Sequence, residues 1–240
     1  MTNWPDGYGL KAFEELDSTN EEARRLAAAG EPGPLWLTTT RQTSGRGRRG
    51  RSWEMVEGNL AATLLIRPAR DSREWPQLSF VAAIAAADMA AHFAPGSRIA
   101  VKWPNDVLAD GRKLAGILLE SAGDALAIGI GVNLKAHPMD TEFPAISLPA
   151  LGAKPPSPGD ALGLLARGFA GWYDTWCASG FSPVRDAWLA RAAGLGARIR
   201  ARLPDAERTG IFEGMDANGA LLLNDGNQTR AITAGEVFFG

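Results

Sequence analysis

The stretch that organises this chain occupies residues 42–53 and reads Q-T-S-G-R-G-R-R-G-R-S-W. Four arginines lie among three glycines in it. Glycine lets a backbone approach a ligand closely, and the guanidinium of arginine is a rigid, always charged fork that matches phosphate or carboxylate. The stretch, called the arginine–glycine loop below, therefore predicts a loop that closes on an anion. A solvated basic turn and a nucleic-acid contact are the alternatives that it leaves open.

Apolar runs on both sides of the arginine–glycine loop predict β-strands. Residues 35–40 lead into the loop, and the mostly apolar residues 59–67 follow it. The loop would then project from the end of a sheet, where binding loops are often carried on a rigid scaffold. Further along, residues 78–93 are rich in alanine with larger apolar residues between, which predicts a buried helix.

Polar residues precede the first predicted helix, which continues through residues 22–29 after a strand at the start of the chain. Ser18 with Glu21 fits a capping box, and Thr19 with Glu22 fits the same motif one residue later. Capping accounts for only one of the three residues Ser18, Thr19 and Asn20. A functional interpretation requires the other two to face a ligand.

Residues 98–121 hold the densest pattern, R-I-A-V-K-W-P-N-D-V-L-A-D-G-R-K-L-A-G-I-L-L-E-S. Its Asp-Gly pair predicts a hairpin turn, with strands before and after it and another over residues 125–133. The pattern leaves open whether Lys113 faces solvent or points into the sheet, where it needs an anionic partner. Asn105 and Asp106 are open in the same way, because such residues also form ordinary turns.

The pattern of the chain changes near residue 194. Before it, the proline-rich residues 134–158 predict a lid or a surface excursion, and two helices are expected, over residues 159–178 and 183–193. After it, short alternating strands separated by Asn-Gly and Asp-Gly turns predict a small β-barrel. Such a barrel is too small to be comfortably stable alone. We therefore expect domains at 1–194 and 195–240 that pack together.

Composition narrows the class of protein. The 240 residues are 45% hydrophobic and 22% charged with a net charge of −2, which suits one or two globular domains. A dedicated nucleic-acid binder would instead spread basic charge over a whole face. Cys177 is the only cysteine, which excludes an internal disulfide and a cysteine-rich metal site. With no long apolar span or signal peptide at the start, a soluble cytoplasmic protein without membrane contact is expected.

Six segments occur in a telling order: S-T-N at 18–20, Q-x-x-G-R-G-R-R-G-R at 42–51, K-W-P-N-D-V at 102–107, K-L-A-G-I-L-L-E at 113–120, G-I-G-V-N-L at 129–134 and P-A-I-S-L at 144–148. At these spacings the whole chain closely resembles the biotin protein ligases, or biotin–[acetyl-CoA-carboxylase] ligases. The resemblance implies an α+β fold. It consists of a mixed β-sheet flanked by helices, like the class II synthetase-like catalytic domain of biotin and lipoate ligases, and a small C-terminal SH3-like β-barrel.

The resemblance also implies an ATP-dependent reaction in two steps. Biotin and MgATP give biotinyl-5′-AMP and pyrophosphate, and the biotinyl group then passes to one lysine of a biotin carboxyl carrier protein. Adenylation joins two anions that repel each other, so cations that neutralise both would stabilise the charge that develops at the α-phosphate. A closing loop would protect the mixed anhydride from water.

Roles for individual residues follow from the same resemblance. The residues implied at biotin or its adenylate are Ser18, Thr19, Asn20, Gln42, Gly45, Arg46, Gly47, Arg48, Lys113 and Gly116. Those implied at ATP or the adenylate are Arg46, Arg48, Trp53, Asn105, Asn133 and Phe143. The catalytic candidates are Arg48, Lys113 and Asp106, the last either as a base or only as a group that orients the carrier lysine. No protein ligand for Mg²⁺ is implied, since the phosphates of ATP would hold most of it.

Two rival functions are consistent with parts of this pattern. A lipoate-type acyl ligase shares the fold and the chemistry, but the arginine–glycine loop together with K-W-P-N-D argues against it. An RNA-binding module would need exposed aromatic residues for stacking, and the acidic net charge argues against such a module.

Only 17 residues precede Ser18, too few for the helix-turn-helix domain of some family members, so no specific DNA binding is expected. Monomer and homodimer both remain open.

Overall fold

The structure is a computed structural model that describes residues 4–239. Its larger sheet consists of β1 Gly9–Leu16, β2 Leu35–Gln42, β3 Leu60–Ile66, β4 Ile99–Lys102, β5 Asp106–Ala109, β6 Arg112–Ala122 and β7 Ala125–Val132. The strand order is β1-β2-β3-β7-β6-β5-β4. β1 and β2 run parallel while the other neighbouring strands run antiparallel, so the sheet is mixed, as expected.

Four helices accompany this sheet: α1 Thr19–Ala28, α2 Leu78–Phe93, α3 Pro158–Ser179 and α4 Phe181–Leu189. α2 is buried on most of its circumference, because its alanines let α3 approach closely, with Gly168 against Ala85. Trp36 on β2 meets Phe169 on α3 edge-on, with ring centroids 6.1 Å apart. In the described part of the chain no helix has both the length and the apolar character to cross a bilayer.

The capping box expected at Ser18 does not form. Ser18 has the extended backbone of an N-cap residue, but among the described residues its side chain makes no capping hydrogen bond. In a capping box, the side chain of Glu21 would accept a hydrogen bond from the backbone N–H of Ser18. That N–H donates instead to Oδ1 of Asp17 at 2.7 Å. The hydroxyl of Ser18 is therefore not committed to the helix.

The last helix before the smaller sheet also differs from its prediction over residues 183–193. It begins at Phe181 and ends at Leu189. The following residues leave the helix because they pair with the edge strand β4: the N–H of Val101 donates to the carbonyl of Arg191, and the N–H of Ala193 donates to the carbonyl of Val101. An exposed sheet edge is thereby covered.

A smaller, wholly antiparallel sheet follows, in the strand order β11-β10-β9-β8-β12. Its strands are β8 Arg198–Arg202, β9 Glu207–Met215, β10 Leu221–Asn224, β11 Thr229–Ile232 and β12 Glu236–Phe239. Alternation explains its inner face, since Ile199 and Ala201 are buried whereas Arg198 and Arg200 are exposed. This sheet is consistent with the SH3-like fold expected for the end of the chain.

The smaller sheet packs against the larger domain, as predicted, through the turn that precedes β10. The indole N–H of Trp103 donates to the carbonyl of Gly219 at 3.0 Å in a buried hydrogen bond. Gly219 has φ +92°, and a Cβ atom there would lie 2.6 Å from the ring of Phe80 on α2. Only glycine satisfies both the backbone angle and the close approach.

We expect Gly219→Ala to lower the free energy of unfolding by about 1–3 kcal/mol more than Gly226→Ala does, because it overpacks the contact with Phe80. Gly226 is the matched control: it also has positive φ, at +98°, but no atom lies within 4 Å of the position that a Cβ atom would take there. Urea unfolding of both variants measures the difference. Equal losses would show that the smaller sheet does not depend on this contact.

Candidate active site

A cavity of about 480 Å³ opens over β6 and β7 and reaches the smaller sheet at β12. The predicted residues that line it are Ser18, Thr19, Asn20, Gln42, Arg46, Gly47, Arg48, Trp53, Asn105, Asp106, Lys113, Gly116, Asn133 and Phe143. Gly45 is the exception. It is buried, and a Cβ there would overlap Gln42 and Trp53, so Gly45 shapes the turn beside the cavity.

Three glycines, here called the glycine floor, form the base of the cavity: Gly116 on β6 and Gly129 and Gly131 on β7. Gly116 and Gly131 are directly paired across the two strands. A Cβ on Gly131 would overlap the indole of Trp53, and one on Gly129 would overlap the amide of Asn20. Gly129 and Gly131 were not predicted as site residues, although two glycines spaced two apart in a buried strand signal a close approach.

Neutral polar groups collect at one end of the cavity, where α1 begins. The backbone N–H of Thr19 donates to Oε1 of Gln42 at 3.0 Å, so Gln42 can offer its NH₂ group to the cavity as a hydrogen-bond donor. The hydroxyl of Thr63 lies 2.6 Å from Oδ1 of Asn20 and 2.8 Å from the hydroxyl of Thr19. Thr63 was not predicted, because its place in an apolar strand does not distinguish it from a core residue.

Positive charge collects at the other end, where two lysines share one buried carboxylate. Nζ of Lys113 lies 2.7 Å from Oδ1 of Asp106, and Nζ of Lys102 lies 3.1 Å from Oδ2. Lys113 therefore points inward, and Asp106 opens β5 instead of forming a turn. Burial acts to raise the pKa of Asp106, but the charges of Lys113 and Lys102 outweigh it and hold that pKa below its ordinary value.

Lys102 was missed among the predicted site residues, although a lysine that ends an apolar strand was a visible signal. Its ammonium lies 3.9 Å from the ring centroid of Phe143, a cation–π distance. Burial lowers the pKa of Lys102, and the carboxylate of Asp106 opposes that effect. The cation is thus held away from water by an aromatic ring and one counter-ion.

Three arginines of the arginine–glycine loop reach either α1 or the start of β12. Arg46 forms an ion pair with Glu21 on α1. Nη1 of Arg48 lies 3.3 Å from the carbonyl of Gly235, and its burial lowers the pKa of that guanidinium. Arg51 forms an ion pair with Glu236 on β12. The loop is therefore held from both domains.

Glu236 also connects this loop to the segment after β7. It pairs with Arg202 on β8, and Nη2 of Arg202 lies 2.8 Å from Oε2 of Glu142. The loop end at Arg51 and the segment at Glu142 are thus joined through the smaller sheet. None of these residues was predicted as part of the site, because their partners are distant in sequence.

Residues 134–148 are pinned at both ends and so form a structured wall of the cavity. The side chain of Asn59 accepts from the N–H of Lys135 at 2.8 Å. Near the other end, the N–H of Lys113 donates to Pro144 and the N–H of Ile146 donates to the carbonyl of Lys113. Beside this wall, Oδ1 of Asn133 is buried without a hydrogen-bond partner within residues 4–239, which leaves an acceptor for a ligand.

Comparison with known proteins identifies the family of this chain. Residues 12–135 match the biotin/lipoate A/B protein ligase family, and residues 194–240 match the biotin protein ligase C-terminal domain. The chain is 47% identical to the biotin–[acetyl-CoA-carboxylase] ligase of Paracoccus denitrificans over 93% of this chain and 98% of that relative. The chain belongs to the biotin protein ligase family.

Other members support the same family and fold. This biotin protein ligase is 31% identical to the bifunctional ligase/repressor BirA of Bacillus subtilis, over 98% of this chain and 75% of the relative. The Aquifex aeolicus biotin protein ligase, solved in complex with biotin and ATP, superposes with a TM-score of 0.85 at 26% identity. The match covers 96% of this chain and 97% of that one.

Replacing Asp106 tests the shared carboxylate. We expect Asp106→Asn to lower the free energy of unfolding by about 3 kcal/mol at neutral pH, because the buried Lys102 and the partly buried Lys113 lose their counter-ion. A carboxyl with a depressed folded-state pKa stabilises the fold fully above its unfolded-state pKa, and that stability is lost as the pH falls through the folded-state value. The difference between parent and variant should therefore shrink as the pH falls below about 4.

Urea unfolding at several pH values between neutral and strongly acidic conditions measures this difference. Asp124→Asn is the control, because Asp124 pairs with Arg67 on the surface and its side chain is 79% exposed. We expect that variant to match the parent at every pH, since exposed ion pairs contribute little. A difference for Asp106→Asn that stays constant into acid would contradict the assignment.

Proposed function

We propose that this biotin protein ligase forms biotinyl-5′-AMP in the cavity and transfers the biotinyl group to one lysine of a biotin carboxyl carrier domain. One observation carries the proposal: a neutral hydrogen-bonding end and a cationic end share one cavity, joined by the glycine floor. A neutral ring with a carboxylate tail fits such a cavity lengthwise. The Paracoccus relative's name and the Aquifex complex with biotin and ATP point to the same substrates.

The neutral end suits the ureido ring of biotin, which has one carbonyl acceptor and two N–H donors. Gln42 can offer its NH₂ group, and Ser18 has a hydroxyl that the helix does not use. These groups would donate to the ureido carbonyl. Asn20 would accept from a ureido N–H, as its oxygen already faces a donor from Thr63 and keeps a second lone pair.

The cationic end suits the reacting groups. In the first step an oxygen of the biotin carboxylate forms a bond to the α-phosphorus of ATP, and the bond from that phosphorus to the bridging oxygen of pyrophosphate breaks. Lys113 and Arg48 would neutralise the two anions and the charge that develops between them. No side chain has to form a covalent intermediate.

Asn133, Trp53 and Phe143 would hold the nucleotide. The unpartnered oxygen of Asn133 offers an acceptor, while the two aromatic residues offer apolar walls. Magnesium is expected to enter on the phosphates of ATP, its usual ligands. Within residues 4–239, no three His, Cys, Asp or Glu side chains form a group that could hold a metal ion.

In the second step the amine of the carrier lysine attacks the acyl carbon of the adenylate, the bond from that carbon to the phosphate oxygen breaks so that AMP leaves, and the amine gives up one proton to solvent. Both oxygens of Asp106 already lie in ion pairs with Lys113 and Lys102. We therefore propose that Asp106 orients the cations around the acyl phosphate and is not the base for the incoming amine. Its depressed pKa keeps it ionised for that role.

Biotin-dependent exchange of labelled pyrophosphate into ATP tests the proposal. The parent protein should exchange with biotin and not with lipoate, because lipoate has no ureido group for the neutral end. Lys113→Ala should reduce exchange by at least about a hundredfold, the scale found when one preorganised charge or donor is removed. Lys11→Ala is the control, because Lys11 is exposed and forms an ion pair with Glu31.

Exchange with lipoate that equals exchange with biotin would overturn the substrate assignment. Full exchange by Lys113→Ala would overturn the role of the cationic end. If the folded parent exchanges with neither acid, adenylation itself is wrong. The transfer step is measured in a separate assay. Protein that has first formed the adenylate is mixed with a purified carrier domain, and the labelling of one lysine in that domain is followed.

A further inference from the structure

Glu120 on β6 takes no direct part in the proposed reaction, yet it touches the neutral end of the cavity. Its Oε2 accepts from Nδ2 of Asn20 at 2.8 Å. Its other oxygen lies 3.8 Å from the guanidinium of Arg46. The Glu120 side chain is 26% exposed. A carboxylate in this position is partly desolvated and committed to one amide, which is unusual for a residue on a protein surface.

The contact fixes which way the amide of Asn20 points. An ionised carboxylate only accepts hydrogen bonds, so it must face the NH₂ group of Asn20. The carbonyl of Leu118 also accepts from that NH₂ group, at 3.3 Å. The oxygen of Asn20 is then turned toward the hydroxyl of Thr63 and lies over Gly129 of the glycine floor.

This orientation decides what Asn20 can offer to a ligand. Both N–H groups of its amide are engaged, by Glu120 and by Leu118, whereas the oxygen has one lone pair left. Asn20 therefore offers only an acceptor. A ligand with an N–H group satisfies it, and a ligand with an apolar or sulfur-containing ring leaves it unpaired at a cost.

We propose that Glu120 and Thr63 are positioning residues that set specificity for the ligand's ring by locking the amide of Asn20. The inference rests on the proposed function, because the ligand N–H that this oxygen accepts is a ureido N–H of biotin. Glu120 and Thr63 do not touch the ligand. They act through Asn20, from opposite ends of one amide.

Two variants weaken the hold on the amide in different ways. Glu120→Gln keeps the shape of the side chain, but its introduced amide can present either end to Asn20, so the orientation of Asn20 then depends on Thr63 and on the longer 3.3 Å contact with the carbonyl of Leu118. Thr63→Val removes the hydroxyl that lies against the Asn20 oxygen and leaves every charge in place. Because Glu120 also lies near Arg46, Thr63→Val separates the orientation of the amide from the charge beside the arginine–glycine loop.

The expected result is a selective loss for biotin. In pyrophosphate exchange, each variant should raise the KM for biotin about tenfold, the scale of one hydrogen bond to a charged or buried group. The KM for ATP should stay within about twofold, since the nucleotide end is untouched. Glu31→Gln is the matched control: Glu31 is also 26% exposed and forms an ion pair with Lys11, away from the cavity.

The double variant gives a sharper test. If both residues act through Asn20, the rise in biotin KM for Glu120→Gln with Thr63→Val should be clearly smaller than the product of the two single rises. Biotin binding followed by calorimetry gives the same comparison without turnover. If one single variant does not fold, the other decides, and thermal unfolding identifies which variants are folded.

Ligand analogues distinguish a positioning role from a merely structural one. The parent should reject biotin methylated at the ureido nitrogen that faces Asn20, and each variant should narrow that discrimination. Discrimination against desthiobiotin, which keeps the ureido group but lacks the sulfur, should not change. Unchanged discrimination, or equal rises in KM for biotin and ATP, would overturn the proposal. A parent that neither exchanges nor binds biotin would instead overturn the proposed function itself.

Discussion

The site depends on one interaction, the sharing of the buried carboxylate of Asp106 by Lys102 and Lys113. A buried ammonium without a partner is costly, so the buried Lys102 and, to a lesser degree, the partly buried Lys113 depend on this carboxylate. With it, two cations and one anion leave a net positive charge where the proposed reaction would bring two anionic substrates together. The turn before β5 and the strand β6 are arranged so that the three side chains converge.

The smaller sheet takes part in this arrangement and is more than an appended domain. Trp103 lies in the turn that leads into Asp106 at the start of β5, and it is hydrogen-bonded to Gly219 across the interface. Glu236 supplies an ion pair to the arginine–glycine loop. Burial by the larger domain offsets the small core of this sheet, and in return the sheet supports the cationic end of the cavity.

Much of the fold is readable from periodicity and turn chemistry. α2 runs over Leu78–Phe93 as its alanine-rich pattern predicts, and the Asp-Gly turn joins β5 to β6. Local rules failed in two places: the neighbouring Asp17 takes the N–H that a capping box at Ser18 would use, and the edge of β4 draws residues 191–193 out of the last helix. Only the second competitor is distant in sequence and therefore invisible in a short window.

The residues of the candidate site also fall into those that the sequence predicts and those that it does not. Residues in compact motifs were found together, because each motif carries its chemistry in a few adjacent positions. Thr63, Glu120 and Glu236 were missed, because what matters is the partner that each one meets in space. Lys102 is a different case, since a lysine in an apolar strand needs an anionic partner there just as Lys113 does. Sequence reasoning thus identifies groups that line the cavity better than groups that hold those groups in place.

The central claim is that one cavity holds the whole adenylate, with its ring at the neutral end and its acyl phosphate at the lysines. A crystal structure of the protein with a non-hydrolysable analogue of biotinyl-5′-AMP tests this most directly. We predict the ureido ring beside Asn20 and Gln42, the linkage between the biotin and AMP halves within hydrogen-bond distance of Lys113, and the adenosine beside Asn133. An analogue bound in the reverse direction, or outside the cavity, would contradict the claim.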